Sequence, residues 1–265
     1  MFSHHPFSRS VVRLGVAGCA LIAAAACSDN SISGPPALAL RRVVSFDDLK
    51  AALLEARHEA NGGFNLDMWA AVVDRNGLVV AVVFTGATNT DQWPGSRVIA
   101  AQKANTANAF SLPHLALSTA NLYAATQPGG TLFGLQEANP TNDDVAYGGN
   151  AADYGTPKDF MVGKRIGGTN VFGGGLALYN AEGKLVGGLG VSGDASCADH
   201  NIAWKMRYNL HLDHVPAGVA DGGADDNIIY DMTTGVSASG FGHPECSAEA
   251  TAIGKALPQT RPIGH

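Results

Sequence analysis

The run Gly187-Gly-Leu-Gly-Val-Ser-Gly-Asp-Ala-Ser-Cys-Ala-Asp-His-Asn-Ile-Ala-Trp204 constrains the fold more than any other part of this chain. It joins a glycine-rich apolar strand, a tight polar turn and the start of an amphipathic helix. Glycine inside a strand is costly, so Gly187, Gly188, Gly190 and Gly193 imply a compensating use. The usual one is close approach of another backbone, a helix or a flat ligand. Directly behind them stand Asp194, Cys197, Asp199 and His200, side chains able to bind metal or move protons.

The flanking segments supply the rest of a layered domain. Ser45 caps a helix with acids in its first turn, and Phe46, Leu49, Leu53, Ala56 and Ala60 give it one apolar stripe. Asn61-Gly62-Gly63 ends that helix. Two apolar runs, Met68 to Val73 and Leu78 to Phe84, flank Asp74-Arg75-Asn76-Gly77 and predict a hairpin covered on both faces. Ser96 to Phe110 reads as a helix with a small-residue stripe at Ala100, Ala104 and Ala107, and His114 to Ala125 as a further helix. Residues 127–170 read as a long functional loop or insertion. A second hairpin follows, Leu176 to Tyr179 and Lys184 to Val191 around Asn180-Ala181-Glu182-Gly183, and then a helix from Ala198 to about Leu212. The last fifty or so residues show no helical period, only a short candidate strand at Asn227 to Asp231. The order of elements implies an α+β domain with an antiparallel sheet faced by helices.

The N-terminus predicts export. Arg9 and Arg13 precede the apolar run Leu14 to Ala26, too short for a comfortable membrane span and suited to a signal core. Ala24-Ala25-Ala26-Cys27 has the form of a lipobox, so residues 1–27 are expected to be a signal peptide with Cys27 lipidated. Residues 28–42 read as a flexible tether, 43–212 as the domain and 213–265 as a C-terminal extension packed on it. The expected location is the periplasm or the surface of a bacterium, with membrane contact through the lipid alone. A net charge of −6 without a basic cluster argues against nucleic-acid binding. With 46% hydrophobic residues and 15% charged ones, the chain has the material for a real core. No nucleotide-binding fingerprint, nucleophile elbow or HExxH motif is present.

Cys197 and Cys246 are the cysteines outside the signal, and three fates compete for them. Export favours a disulfide, which in the chain-entropy model is worth roughly 4 kcal/mol for a loop of about fifty residues. The mirror-image Cys197-Ala-Asp-His200 and His243-Pro-Glu-Cys246 could instead bring together a tetrahedral zinc set including His200 and His243. A free, activated Cys197 beside a histidine would be a nucleophile.

The opening helix, the hairpin Ala70-Ala-Val-Val-Asp-Arg-Asn-Gly77, the helix Ala100-Ala-Gln-Lys-Ala-Asn-Thr-Ala107, Gly174-Gly-Leu-Ala-Leu178 and Glu182-Gly-Lys-Leu-Val-Gly-Gly-Leu-Gly-Val-Ser-Gly193 together resemble the GlcG/HbpS-like haem-binding family. The resemblance implies a profilin-like fold with a five-stranded antiparallel sheet, homo-oligomers, and haem as ligand, with haem degradation or iron sequestration in some members. It places a threonine of the Ala100–Ala107 helix near the haem, here Thr106. Haem iron needs an axial donor, most often imidazole, and an apolar slot for the ring. The expected slot lies between Gly187, Gly188 and Gly190 and the Ala100–Phe110 helix, with Thr106 and Lys103 at the polar edge and His200 nearby. Tight helix packing is the competing use of the same small residues. Of the other histidines, His58, off the apolar stripe, reads as a surface or subunit-contact residue. His114 reads as a first-turn residue, and His211 and His214 as helix-end residues. Two further functions stay open: an enzyme on a small oxygenated metabolite, and a non-catalytic oligomeric scaffold or sensor partner.

Overall fold

The computed structural model describes Leu40 and residues 44–264. The expected signal peptide, Cys27 and the expected tether apart from Leu40 lie outside the described residues, and Leu40 is buried in the core with Val44 N donating to its carbonyl at 2.8 Å. Among the described residues four long helices and two hairpins build three layers. They are α1 (Phe46–His58), β1 (Trp69–Asp74), β2 (Val79–Phe84), α2 (Ser96–Phe110), β3 (Gly175–Tyr179), β4 (Leu185–Ser192), α3 (Ser196–Asn209) and α4 (Ala248–Thr260). The sheet is antiparallel in the order β2-β1-β4-β3, so the two hairpins meet through β1 and β4. It has four strands among the described residues, where the resemblance implies five. A separate two-stranded ribbon pairs Met232–Thr233 with Val236–Ser237.

Local signals explain the element ends. Ser45 and Asp48 exchange bonds at 3.1 Å in a capping box that starts α1. The Asn61 amide donates to Ala56 O at 3.0 Å and to Glu59 O at 2.8 Å, which stops α1 two residues before the expected Ala60. In the first hairpin Asp74 Oδ1 accepts from Asn76 N and Leu78 N, and Gly77 takes a left-handed φ of 76°. Residues 114–118 are not helical, because Ser118 is the N-cap of a 3-10 turn, Thr119–Leu122, followed by one α-turn, Tyr123–Thr126.

Alternation in the strands divides the core between two faces. Ala70, Val72, Leu176, Leu178, Leu189 and Val191 point toward α1, α3 and α4. Trp69, Ala71 and Val73 point toward α2, joined there by Ala146, Met161 and Ile166 of the 127–170 segment. That segment is a packed part of the domain. Buried Arg97 of α2 holds it through Asp159 (Nε–Oδ2 2.8 Å) and Ala146 O (2.7 Å). Its backbone also runs beside the β2 edge, with Val79 N donating to Lys164 O and Gly163 N to Val79 O.

The extension covers the opposite edge, where Tyr179 N donates to Leu212 O and His214 N donates to Tyr179 O. Asn227 to Asp231 is not a strand. Its backbone is taken up by side chains and by the return of the chain, with Ile228 N on Asn227 Oδ1 at 2.8 Å and His243 N on Ile229 O at 2.8 Å. α4 is a correction to the expectation of an aperiodic tail. Ser247 caps it, and it buries Ala250, Thr251, Gly254 and Leu257.

Candidate functional site

The glycine face of β4 is filled. A Cβ on Gly188 would strike Ala104 O, one on Gly190 would strike Ala100 O, and one on Gly187 would strike Val73 O. At Gly188 and Gly190 the α2 backbone lies where the sequence reserved room for a flat ligand, and at Gly187 Val73 and Leu40 fill it, so tight packing is the use these glycines serve.

The polar residues assigned to that slot are internal as well. Lys103 Nζ is buried and bridges layers, donating to Val191 O at 3.0 Å and to Asp199 Oδ2 at 2.7 Å. Thr106 Oγ1 donates to Gln102 O at 2.8 Å and accepts from Asn170 N at 2.9 Å, which fixes the end of the 127–170 segment. Both therefore tie layers together and address no ligand edge.

His200 is fully buried on α3. Its Nε2 pairs with Asn227 Oδ1 at 3.2 Å, and the Asn227 amide is held by Gly254 O at 2.9 Å, while Nδ1 has no hydrogen-bond partner. His243 is buried beside Tyr123, with ring centroids 4.9 Å apart. Its Nδ1–H donates to Pro244 O at 2.7 Å, so Nε2 accepts from Ser196 Oγ at 2.8 Å, and Ser196 Oγ accepts from Gly173 N.

Cys197 and Cys246 are joined in a disulfide with Cα atoms 5.9 Å apart. Among the described residues, the group able to converge on a metal is Cys197, His243 and Cys246. His200 is not part of it, which corrects the four-donor set expected from the mirrored spacing. Bonded Cys197 cannot act as a nucleophile.

These buried groups give the protein an acid-sensitive core. Burial pushes His200 down to about 3 and His243 to about 4, both from 6.5. The unfolded chain then binds protons that the folded chain refuses, so this stability is full above pH 6.5 and is lost as pH falls. Asp199 acts oppositely: burial, partly countered by Lys103, raises it from 3.8 to about 6, so the folded chain takes up that proton first. Asp225, raised by burial, acts as Asp199 does, but the two histidines outweigh them in direction, so stability falls as pH drops below about 6. The urea midpoint should accordingly fall between pH 7 and pH 5. A flat or rising midpoint would contradict it.

Open clefts lie elsewhere, and two of them bear on a ligand. One, of about 360 Å³, sits at the C-terminal end of α1 and is lined by residues including Arg57, His58, Leu66, Asp194 and Ile202. Phe64, 74% exposed, stands between two of its lining residues, Gly63 and Asn65. One Arg57 Nη donates to Asn65 O at 2.9 Å, and Arg57 Nε, without a hydrogen-bond partner, pairs with Asp67 Oδ1 at 3.7 Å. The second, of about 330 Å³, is lined by residues including Tyr123, Phe133, Glu137, Val171 and Phe172.

Neither cleft was found by sequence reasoning. The available signal was Arg57-His58 at the end of a stripe that leaves both on the polar side.

Residues 44–206 match the family of haem-degrading HbpS-like proteins. The chain belongs to this family. The HbpS-like region thus takes in α1, the sheet, α2 and most of α3, while α4 and Cys246 lie beyond it. Similar solved structures include a PduOC:heme complex, at 25% identity over 63% of this chain and 94% of that chain, with a TM-score of 0.43. Another is the Klebsiella pneumoniae protein ORFY, at 21% identity over 63% and 90%, TM-score 0.43. A third is a double mutant of Streptomyces reticuli HbpS, at 21% identity over 62% and 84%, TM-score 0.37. No curated protein matches.

Proposed function

We propose that this protein binds haem at the cleft beside α1 and serves haem or iron handling. The observation that carries the reading is the donor set of that cleft. His58 offers an exposed imidazole, the commonest axial donor for haem iron, and Arg57 offers a guanidinium for a carboxylate. Leu66 and the neighbouring Phe64 supply apolar surface for a ring. These residues fit the group that the family's description implies. Bound haem would supply the iron chemistry, and the chain's own part is to ligate, orient and shield.

The cleft is open, so covering both faces of a macrocycle calls for a second copy of the chain, in keeping with a homo-oligomer. Export and attachment through a lipid on Cys27 complete the proposal, on the strength of the Leu14 to Ala26 run and the lipobox pattern. Degradation of the bound haem belongs to the proposal through family membership alone.

Titration with haem should give a saturable Soret shift, and His58→Ala should weaken binding by about tenfold or more without altering the circular dichroism. No Soret shift in the wild-type protein would refute haem binding. An unchanged affinity in His58→Ala, with loss in Tyr123→Phe, would move the ligand to the aromatic cleft.

A further inference from the structure

We propose that reduction of the Cys197–Cys246 disulfide opens a site for a soft divalent cation of the zinc class, held by both thiolates and His243 Nε2. The donor atoms of the three residues already lie within 4.8 Å of one another. A tetrahedral zinc, with Zn–S near 2.3 Å and Zn–N near 2.0–2.1 Å, needs neighbouring donors about 3.3–3.8 Å apart. Cleavage of the disulfide therefore leaves a set that closes on a metal by shifts of about an ångström. Cys197 is fully buried on α3, whereas Cys246 lies on an exposed segment that can supply the movement.

Two independent features prepare the donors. The His243 Nδ1–H is committed to Pro244 O, which leaves the Nε2 lone pair as the free donor, held on Ser196 Oγ beside Cys197. A ring nitrogen bonded to a backbone carbonyl behind the ligating nitrogen is the usual support of a metal-bound histidine. The sulfurs also sit where two helices begin. Cys197 is the second residue of α3, whose N-cap Ala195 makes no side-chain bond, and Cys197 N donates to Cys246 Sγ at 3.1 Å. Cys246 immediately precedes Ser247, the N-cap of α4. Partial positive charge from both helix ends favours thiolates there.

The chemistry balances with a thiol reductant. A dithiol gives two electrons and two protons to the S–S bond and becomes a disulfide itself. The cation then displaces the two thiol protons, which pass to solvent. Ser196 Oγ gives up its bond to His243, and water completes the fourth position. Oxidation by a disulfide-class oxidant reverses the sequence and expels the metal. The proposal does not depend on the haem reading, since none of its three donors lines the haem cleft.

The test uses the whole chain with Co²⁺ as a spectroscopic probe and Zn²⁺ as competitor. Oxidised protein should take up no cobalt. Protein reduced with a phosphine should bind one Co²⁺ per chain, show thiolate-to-cobalt charge transfer, and lose the band on adding zinc. His243→Ala, reduced in the same way, should bind at least about tenfold more weakly with its thiol count unchanged. Cys246→Ser should lose the site while leaving α3 in place by circular dichroism. Equal uptake before and after reduction, no uptake after reduction, or undiminished affinity in His243→Ala would each overturn the proposal.

Discussion

Gly190→Leu is expected to destabilise the protein by more than about 3 kcal/mol, enough to leave much of it unfolded at ordinary temperature. Gly190 pairs with Ala71 on one side and Gly175 on the other, so its strand is central and cannot bow away. A Cβ there would meet Ala100 O and Ala104 N, which are helix backbone and cannot rotate aside as a side chain could. Relief requires lifting α2 off the sheet, which opens the cluster containing Ala100, Ala101 and Ala104 and strains the Lys103–Asp199 bridge. Urea unfolding followed by circular dichroism measures the effect. A variant within about 0.5 kcal/mol of wild type would show that α2 does not rest on β4.

Asp226→Ala is expected to cost about 3–5 kcal/mol, because it strands a guanidinium in the interior. Arg207 and Asp226 are both fully buried and doubly bonded, at 2.8 and 2.7 Å. Arg207 also donates to Ala177 O of β3 at 3.2 Å and lies 4.8 Å over the Trp204 ring, so the pair fixes α3, the sheet and the extension at one point. Replacing both partners by apolar residues, Arg207→Met with Asp226→Leu, should recover most of the loss, since the desolvation cost disappears with the charges. Chemical denaturation of the single and double variants decides it. A single-variant loss below about 1 kcal/mol would contradict the account.

The secondary structure that the sequence made legible is the part written in local chemistry. Ser45 and Asp48, and the Asp74–Gly77 and Asn180–Gly183 turns, need nothing distant to form. The antiparallel sheet between helices follows from them. The glycines of β4 were ambiguous because a strand that accepts a ring and one that accepts a helix backbone call for the same missing side chains. Only the position of α2 separates the two.

Histidine spacing misled for a geometric reason. His200 stands nearly one helical turn beyond Cys197 and turns inward to Asn227, whereas His243 precedes Cys246 on non-helical chain and reaches the sulfurs. α4 was missed because its buried face is Ala250, Thr251, Gly254 and Leu257, nearly devoid of bulk, with Pro258 inside its last turn. The packed 127–170 segment was missed because its anchor, Arg97 to Asp159, joins residues that no local pattern connects.

The way α4 and its flanks are stitched to α1 and α3 separates inheritance from autonomy. Trp204 Nε1 donates to Arg261 O, Arg261 bonds Glu59, Ser247 Oγ donates to Gly62 O, and the Asn201 amide spans Asn61 O and Ala250 O. All of these but the Asn201–Asn61 bond, which lies within it, join the HbpS-like region to chain that lies beyond residue 206. Cut at that boundary, the shared region would expose the indole of Trp204 and the apolar flank of α3 to water. The stretch this chain has in common with its family is therefore tied into chain outside it, and the unit of descent is smaller than the packed unit.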